Sequence, residues 1–303
     1  MWTGTIVDSH IHLWDLNKLY YDWLTDKIVS DDIVGDYRRI CRNYLPEDFL
    51  RDLPPGEHVI AVHVDCALGH RDPVDETKFV ASVAKVHPWI GAIIGRGDLT
   101  DRRFDVLLDR HLAASNLFRG IRMFGPPETW STSKFKSGLR SLLNRNLIFA
   151  LDADPETMDR AGEMAQVCDV KIVLDHAGFP KQRTDEYFQR WRAAMKTLAA
   201  HENVICKVSG LGMADHRWTE DTIRRWVEGC LEAFGIERCI FGTNWPVDSL
   251  YSDYARVVTS YRHILSSFSE EEQRRFFFQN AVDCYSIRDV PSKFQDSISP
   301  GDA

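Results

Sequence analysis

The most informative absences in this chain concern membranes, nucleic acids and disulfides. No apolar run approaches the ~20 residues that are needed to cross a bilayer, and the mean hydropathy is -0.30. The formal net charge is -8, so a broad nucleic-acid surface is not expected. The N-terminus has neither the basic nor the apolar region of a secretory signal. No Cys-x-x-C pair occurs among the seven cysteines, an odd number that fits reduced thiols. These absences predict a cytoplasmic protein whose partner is a small molecule, with no nucleic acid and no membrane.

The 303 residues alternate between short β-branched runs and longer segments with helical spacing. Eight runs predict strands, at residues 5–9, 58–66, 89–95, 118–124, 147–152, 170–175, 204–209 and 239–242. Four apolar helix faces are predicted between or after them: Val80, Val83, Ala84 and Val86; Val106, Leu107, His111 and Leu112; Leu139, Leu142 and Leu143; Trp226, Val227, Cys230, Leu231 and Phe234. Eight parallel βα units favour a closed, TIM-type (β/α)8 barrel, with a doubly wound open sheet as the alternative.

Two regions lie outside the repeat. The first connection, residues 13–57, is long and contains Trp14 and Trp23, and long loops in compact domains are often binding loops or lids. Residues 289–303 are rich in Ser, Asp and Pro and read as a polar tail. We therefore predict a single barrel domain over residues 1–288. Near its end, Ser269 and Glu272 form a sequence capping box, which predicts the start of a helix.

The active site of such a barrel lies at the carboxyl ends of its strands. The first strand ends in His10 and His12, which point to the same side of an extended chain. Two imidazoles on one side are a pair of metal ligands or of oxyanion donors. The sixth strand ends in His176, followed by two small residues that allow a tight backbone. A helix cap or a buried structural role is the other interpretation of His176.

Other polar residues stand at or near the ends of later strands. Asn244 follows the eighth strand, and Asp152 ends the fifth. On the fourth strand we expect Arg122 to face the mouth as an anion or carbonyl binder, and Arg119 to form a structural salt bridge. Lys207 lies within an apolar strand, so it must either pair or face a polar cavity, because burying it alone is costly.

These motifs, in this order, resemble the amidohydrolase superfamily, and most closely its amidohydrolase-2 branch of lactonase-like proteins. The matching residues run from about Ile6 to about Ile287, and the motifs are DSHIHLWD at 8–15, RGIR at 119–122, DHAG at 175–178, FGTNWP at 241–246, and Asn280-Ala281 with Tyr285. The resemblance implies a distorted, metal-dependent-hydrolase-like barrel that hydrolyses a carboxylic ester within a ring. It also implies that His10, His12 and His176 bind one divalent metal, Zn or Mn, or polarise the carbonyl without a metal.

This sequence departs from the family pattern at one position. Members of the branch carry an Asp after the eighth strand as the base for the attacking water, and Asn244 stands there instead. An amide has no useful basicity, so Asn244 can orient water or ligate weakly but cannot act as a general base. A metal would also lose an anionic ligand and bind more weakly. The base must then come from Asp248, Asp175, His176 or Asp152; Asp248 is alternatively the N-cap of a helix near Ser252.

The resulting hypothesis is a lactonase-type hydrolase of carbohydrate metabolism that acts on a sugar-acid lactone. Its catalytic residues are predicted to be His10, His12, His176, Asn244 and Asp248, and its substrate contacts Trp14, Arg122, Asp152, Lys207 and Trp245. The alternatives are a lactone isomerase, a metal-dependent decarboxylase and a non-catalytic sugar-acid-binding barrel. A homo-oligomer is compatible with the sequence.

Overall fold

Eight parallel strands form one sheet in which the spatial order follows the sequence order. The computed structural model describes residues 1–28, 33–67, 69 and 71–288. The strands are β1 (Ile6–Ile11), β2 (Val59–Val64), β3 (Ile90–Arg96), β4 (Phe118–Arg122), β5 (Ile148–Leu151), β6 (Ile172–Leu174), β7 (Val204–Val208) and β8 (Cys239–Phe241). Each overlaps a segment that the sequence predicts as a strand, because β-branched runs between turn residues suit strands buried on both faces.

The sheet closes where β1 approaches the end of β8. Ile11 forms a parallel bridge with Trp245. The Asn244 amide donates to the His10 carbonyl at 2.8 Å, and the His12 amide donates to the Trp245 carbonyl at 2.7 Å. Register shifts interrupt the β1–β2, β2–β3 and β3–β4 pairs. The fold is therefore a distorted (β/α)8 barrel, as predicted, and its closure brings the polar ends of β1 and β8 together.

Helices follow the strands and pack around the sheet. They are α1 (Asp22–Thr25), α2 (Pro46–Asp52), α3 (Val74–Ala84), α4 (Phe104–Ala114), α5 (Ser133–Leu143), α6 (Met158–Ala165), α7 (Asp185–Ala199), α8 (Glu220–Phe234), α9 (Tyr254–Ile264), α10 (Glu270–Arg274) and α11 (Asn280–Tyr285). Trp191 on α7 and Trp226 on α8 are fully buried and meet edge to face at 5.0 Å. The Ser269–Glu272 capping box begins α10, as predicted.

Three of the predicted helix faces were wrong at particular positions. Val86 lies beyond the end of α3, and Val106, Leu112 and Leu143 are exposed. On α4 the buried residues are Phe104, Leu108 and His111. The error arose because several apolar rows fit a helical period on these segments, and only packing against the barrel selects the buried row. The face predicted on α8 is confirmed, with Trp226, Val227, Cys230, Leu231 and Phe234 all buried.

The long first connection lies between β1 and β2 and contains α1, a 3-10 turn at Arg38–Ile40, and α2. Asp31 and Asp32 of this connection, and the predicted tail at 289–303, fall outside the described residues. The single-domain assignment stays a prediction. Six of the seven cysteines are buried, as expected for small apolar side chains. No helix within the described ranges is long and apolar enough to span a membrane.

Candidate active site

His10 and His12 lie side by side at the end of β1, with ring centroids 4.9 Å apart. The His12 Nδ1 lies 2.9 Å from the Val64 carbonyl, so Nδ1 carries the proton and Nε2 keeps its lone pair. Burial, helped by the positive charge of Arg122, lowers the pKa of His12 to about 3. A neutral imidazole in this tautomer offers a nitrogen ligand rather than a hydrogen-bond donor at Nε2.

His176 completes a group of three imidazoles through an unusual backbone conformation. Its ring centroid lies 4.3 Å from that of His10, and Nδ1 lies 3.0 Å from the Ser209 hydroxyl. Four successive residues from His176 to Phe179 have positive φ, and the φ of His176 is 53°. Such strain in non-glycine residues collects at functional sites, where the surrounding structure maintains it. Gly210 leaves room for the ring, since a Cβ there would lie 2.5 Å from His176 Nδ1.

A fully buried ion pair lies beneath the imidazoles. Lys207 Nζ is 2.7 Å from Asp175 Oδ1 and 3.4 Å from His10 Nδ1. Burial by itself would raise the pKa of Asp175. The Lys207 ammonium, together with His10 and Arg122, nevertheless holds that pKa well below its usual range. The ammonium is fully buried and does not line the cavity described below. Lys207 therefore pairs, which is one of the two positions expected for it, and the expectation that it contacts the substrate is not supported.

The Arg122 side chain lies between this ion pair and the mouth of the barrel. It donates two hydrogen bonds to Asp152, at 3.0 and 3.1 Å, and its Nε lies 3.5 Å from Asp175 Oδ2. Its guanidinium carbon stacks 4.6 Å from the centroid of the Phe124 ring. Arg119 instead donates to backbone carbonyls, among them that of Tyr285 at 2.7 Å. The expected salt bridge of Arg119 is replaced by these carbonyl contacts, because the side chain points to the opposite end of the strand.

Asn244 and Asp248 follow β8. Asn244 has a φ of 62° and its side chain lies between His12 and Asp248, close enough to influence the pKa of each. Asp248 is buried, and burial raises its pKa well above the usual value, an effect that the Asn244 amide partly offsets. The interpretation of Asp248 as a helix N-cap is wrong. Asp253 caps α9 by accepting from the Arg256 amide at 2.8 Å, because the chain makes a further turn before the helix begins.

An open cavity of about 420 Å³ occupies the mouth of the barrel at the carboxyl ends of the strands. Among the predicted site residues, His12, Arg122, His176 and Asn244 line it, and Trp23 and Phe124 supply aromatic faces. The other lining residues described are Lys27, Val34, Tyr37, Asp65, Cys66, Ala67, Phe179, Met213 and Val247. This volume falls within the range of small-molecule sites.

Several predicted site residues lie behind this surface. His10, Asp152, Lys207 and Asp248 do not line the cavity. Trp14 is fully buried, with its indole N–H donating to the Arg42 carbonyl at 2.6 Å. Trp245 is also buried, with its indole N–H donating to Asp52 at 2.8 Å. The expectation that these two indoles contact substrate is corrected, because both are bound into the packing of the first connection.

His10 and His176, together with Asp175, offer ligand atoms to a single divalent metal ion, and the His12 ring lies beside that of His10. Within the described residues, the buried Nε2 of His10 has no hydrogen-bond partner. Nδ1 of His10 faces the buried ion pair, 3.4 Å from Lys207 Nζ and 3.7 Å from Asp175 Oδ1, so Nε2 is the nitrogen that is left without a partner among the described residues. Burial lowers the pKa of His10 and His176 well below the usual value, which keeps both neutral. His10, Asp175 and His176 place one ligand atom each within 4.8 Å of one another.

The sequence interpretation missed a second buried cluster beside the cavity, formed by Asp65, Glu76, His63 and Tyr21. Asp65 follows β2, lines the cavity, and is only 1% exposed. Glu76, on α3, lies behind it, and its Oε1 is 3.1 Å from the Cys66 amide and 3.2 Å from the Tyr21 hydroxyl. A signal was present: Asp65 is a carboxylate at the carboxyl end of a barrel strand, inside an apolar run.

Comparisons with known proteins agree with this architecture. A family model described as amidohydrolase matches residues 7–287. An uncharacterised protein, y4mH, of Sinorhizobium fredii is 38% identical over 295 residues, which cover 93% of this chain and 98% of the relative. An L-fucono-1,5-lactonase of Burkholderia multivorans is 29% identical, covering 93% and 96% of the two chains. A crystal structure of an amidohydrolase from Burkholderia multivorans with bound zinc superposes with a TM-score of 0.80 and 25% identity, covering 94% of this chain and all of the other.

Proposed function

The chain belongs to the amidohydrolase family, and we propose that it hydrolyses the ring ester of a sugar-acid lactone at the mouth of its barrel. The observation that carries the proposal is the cavity itself, in which His12, His176, Arg122 and Asn244 face one space. Similarity to curated lactonases over more than nine tenths of the chain supports a lactone as the substrate. The proposed substrate is the lactone of an aldonic or aldaric acid.

Substrate binding relies on the two sides of the cavity. The Trp23 and Phe124 rings present apolar faces that suit the C–H face of a sugar ring. Arg122 supplies a fixed cation, because Asp152 holds its guanidinium in one orientation. A planar guanidinium binds a carboxylate or ring oxygens more specifically than an ammonium does. The arrangement favours a lactone that carries a carboxylate or several hydroxyls.

We assign the polarisation of the substrate carbonyl to the three histidine side chains. His10, His12 and His176 are neutral and buried, and they would hold one divalent ion, Zn or Mn, as nitrogen ligands. Such an ion, when bound, polarises the carbonyl and stabilises the developing oxyanion. Asn244, beside His12, orients the water or contributes a weak oxygen ligand. Lys207 and Asp175 keep the group in place from behind.

A panel of aldono- and aldaro-lactones tests the proposal. We expect acid release from at least one lactone by the purified protein, together with a divalent metal close to one equivalent. Turnover in 18O-labelled water distinguishes the alternatives, since hydrolysis incorporates solvent oxygen and isomerisation does not. Asn244 in place of an acid favours isomerisation as the second candidate, in which a hydroxyl of the substrate attacks the carbonyl. A panel with no acid release would reject the lactonase proposal.

A further inference from the structure

Asn244 lines the cavity, but its amide is not basic enough to take a proton from water, so another group must transfer the catalytic proton. Asp175 pairs with Lys207, and Asp152 is held by Arg122. Neither of these carboxylates, nor Asp248, lines the cavity. Among the described residues that do line it, Asp65 is the only carboxylate. A general base must come within hydrogen-bond reach of the water it activates, so position singles out Asp65.

The surroundings of Asp65 hold its carboxyl group in place without neutralising it by a direct ion pair. Its amide donates to the Ile94 carbonyl at 2.8 Å, which fixes the backbone at the end of β2. Within the described part of the chain, neither carboxylate oxygen of Asp65 has an amide, hydroxyl or cationic donor. Buried polar groups are nearly always satisfied, so a pair of unsatisfied oxygens facing a cavity indicates a functional role.

Glu76 is the partner behind Asp65. Its carboxyl group lies close enough to the Asp65 carboxyl for each to influence the pKa of the other, so we infer that the pair holds one proton between them. Oε1 of Glu76 is already surrounded by the Cys66 amide, the Tyr21 hydroxyl and His63 Nε2. Burial, with the charge of Glu76, raises the pKa of Asp65 to about 8. Two adjacent carboxyls that share one proton are a known arrangement for activating water.

The same cluster does not suit a metal ion, although His63, Cys66 and Glu76 lie close together. The Leu13 amide donates to His63 Nδ1 at 3.3 Å, so the proton of this imidazole is on Nε2, which points to Glu76 at 3.3 Å. Metal binding at Nε2 would displace that proton and break the hydrogen bond. The cluster is therefore a proton-holding network.

We propose that Asp65 is the catalytic proton-transfer residue, and that Glu76 is the residue that positions it; this role rests on the proposed lactone hydrolysis. Asp65 takes a proton from the attacking water as the water oxygen bonds to the carbonyl carbon. The tetrahedral intermediate then collapses, the bond from that carbon to the ring oxygen breaks, and Asp65 gives the proton to the ring oxygen. The shared proton stays between Asp65 and Glu76, and the product is a hydroxy acid.

The test compares variants on the lactone that the panel identifies. D65N keeps the shape of the side chain and removes the base, so we expect kcat to fall by about 100-fold or more with little change in KM. D15N is the matched control, because Asp15 is also a buried aspartate but does not line the cavity, and it should retain wild-type kcat. E76Q should lower kcat by about tenfold and leave KM unchanged. Asp65 then lacks the carboxyl group of Glu76 beside it but keeps its position at the cavity wall.

Chemical rescue separates a catalytic role from a structural one. D65A opens a gap at the cavity wall, and added formate should restore kcat by about tenfold or more, as a small carboxylate replaces the missing base. Formate should not affect D65N, where the amide fills the space. If the wild type hydrolyses a lactone and D65N does so at the wild-type rate, the role of Asp65 is overturned while the lactonase proposal stands. If D65N does not fold, failure of formate to rescue D65A overturns it. No turnover by the wild type overturns both proposals.

Discussion

Lys207 Nζ lies 2.7 Å from Asp175 Oδ1 at the centre of the barrel, and both side chains are fully buried. The pair links β7 to the end of β6 and stands directly behind His10. Buried pairs of this kind are costly to break, because either charge alone would lack compensation. The ion pair therefore supports the three histidine side chains at the barrel mouth and keeps them in position.

Substitution of Lys207 tests this support. K207M should lower the free energy of unfolding by about 3–5 kcal/mol, since it leaves the Asp175 carboxylate buried without its nearest cation. The double variant K207M/D175N should recover part of the loss, because it removes both charges. Urea denaturation followed by circular dichroism measures both. Equal stability of K207M and wild type would show that the pair is not a support.

His12 should be essential to turnover. H12A removes a nitrogen that faces the cavity and is oriented by the Val64 carbonyl, so we expect kcat to fall by about 100-fold or more. Bound metal, measured by elemental analysis, should fall in parallel. H201A is the control, because His201 lies outside the cavity lining, and it should retain activity. Unchanged turnover in H12A would reject the assigned role.

Arg122 should select the substrate. R122K keeps the charge but loses the planar pair of donors that Asp152 now holds, so KM for a lactone bearing a carboxylate should rise by about tenfold. A lactone without a carboxylate should show a smaller change. The two KM values are obtained from the same initial-rate assay. Equal effects on both lactones would assign Arg122 to the barrel structure instead of to anion binding.

His111 should make stability depend on pH. Burial lowers its pKa to about 4 in the folded protein, against an ordinary value of 6.5. Between these values the unfolded chain binds more protons, so stability falls as the pH drops from 6.5 toward 4, by up to about 3 kcal/mol. H111Q keeps a polar partner for Thr77 and removes this titration. Denaturation at several pH values measures the free energy of unfolding of wild type and H111Q, and the difference between the two should become smaller as the pH falls. A difference that stays constant with pH would contradict the low pKa of His111.

Local patterns in the sequence predict most of the architecture. Alternating β-branched runs and helical segments are a short-range property, so all eight strands could be located within a few residues. The histidines at positions 10, 12 and 176 could be grouped for the same reason, since a parallel barrel brings the ends of its strands to one mouth. Helix faces were predicted less accurately, because Val106 and Leu112 fit an apolar row that the barrel does not bury.

Which side chains reach the cavity depended on contacts between residues far apart in the chain. Trp14 and Trp23 stand nine positions apart in one connection, yet only Trp23 lines the cavity, because the Trp14 indole is bound to the Arg42 carbonyl. Asp248 looked like a cap and is buried behind Asn244, while Asp253 caps the helix. Neither outcome follows from spacing, since both depend on how the long connections fold over the barrel.

The sequence alone determined the barrel and the position of His10, His12 and His176 at its mouth, because strand order and residue identity suffice for these. Only the tertiary structure decided that Lys207 pairs with Asp175 and that Asp65 lies at the cavity wall with Glu76 behind it. Burial and the approach of charges from different strands set the environment of a carboxyl group, and these arise only when the barrel closes. That environment is what distinguishes Asp65 from the other acids at the barrel mouth.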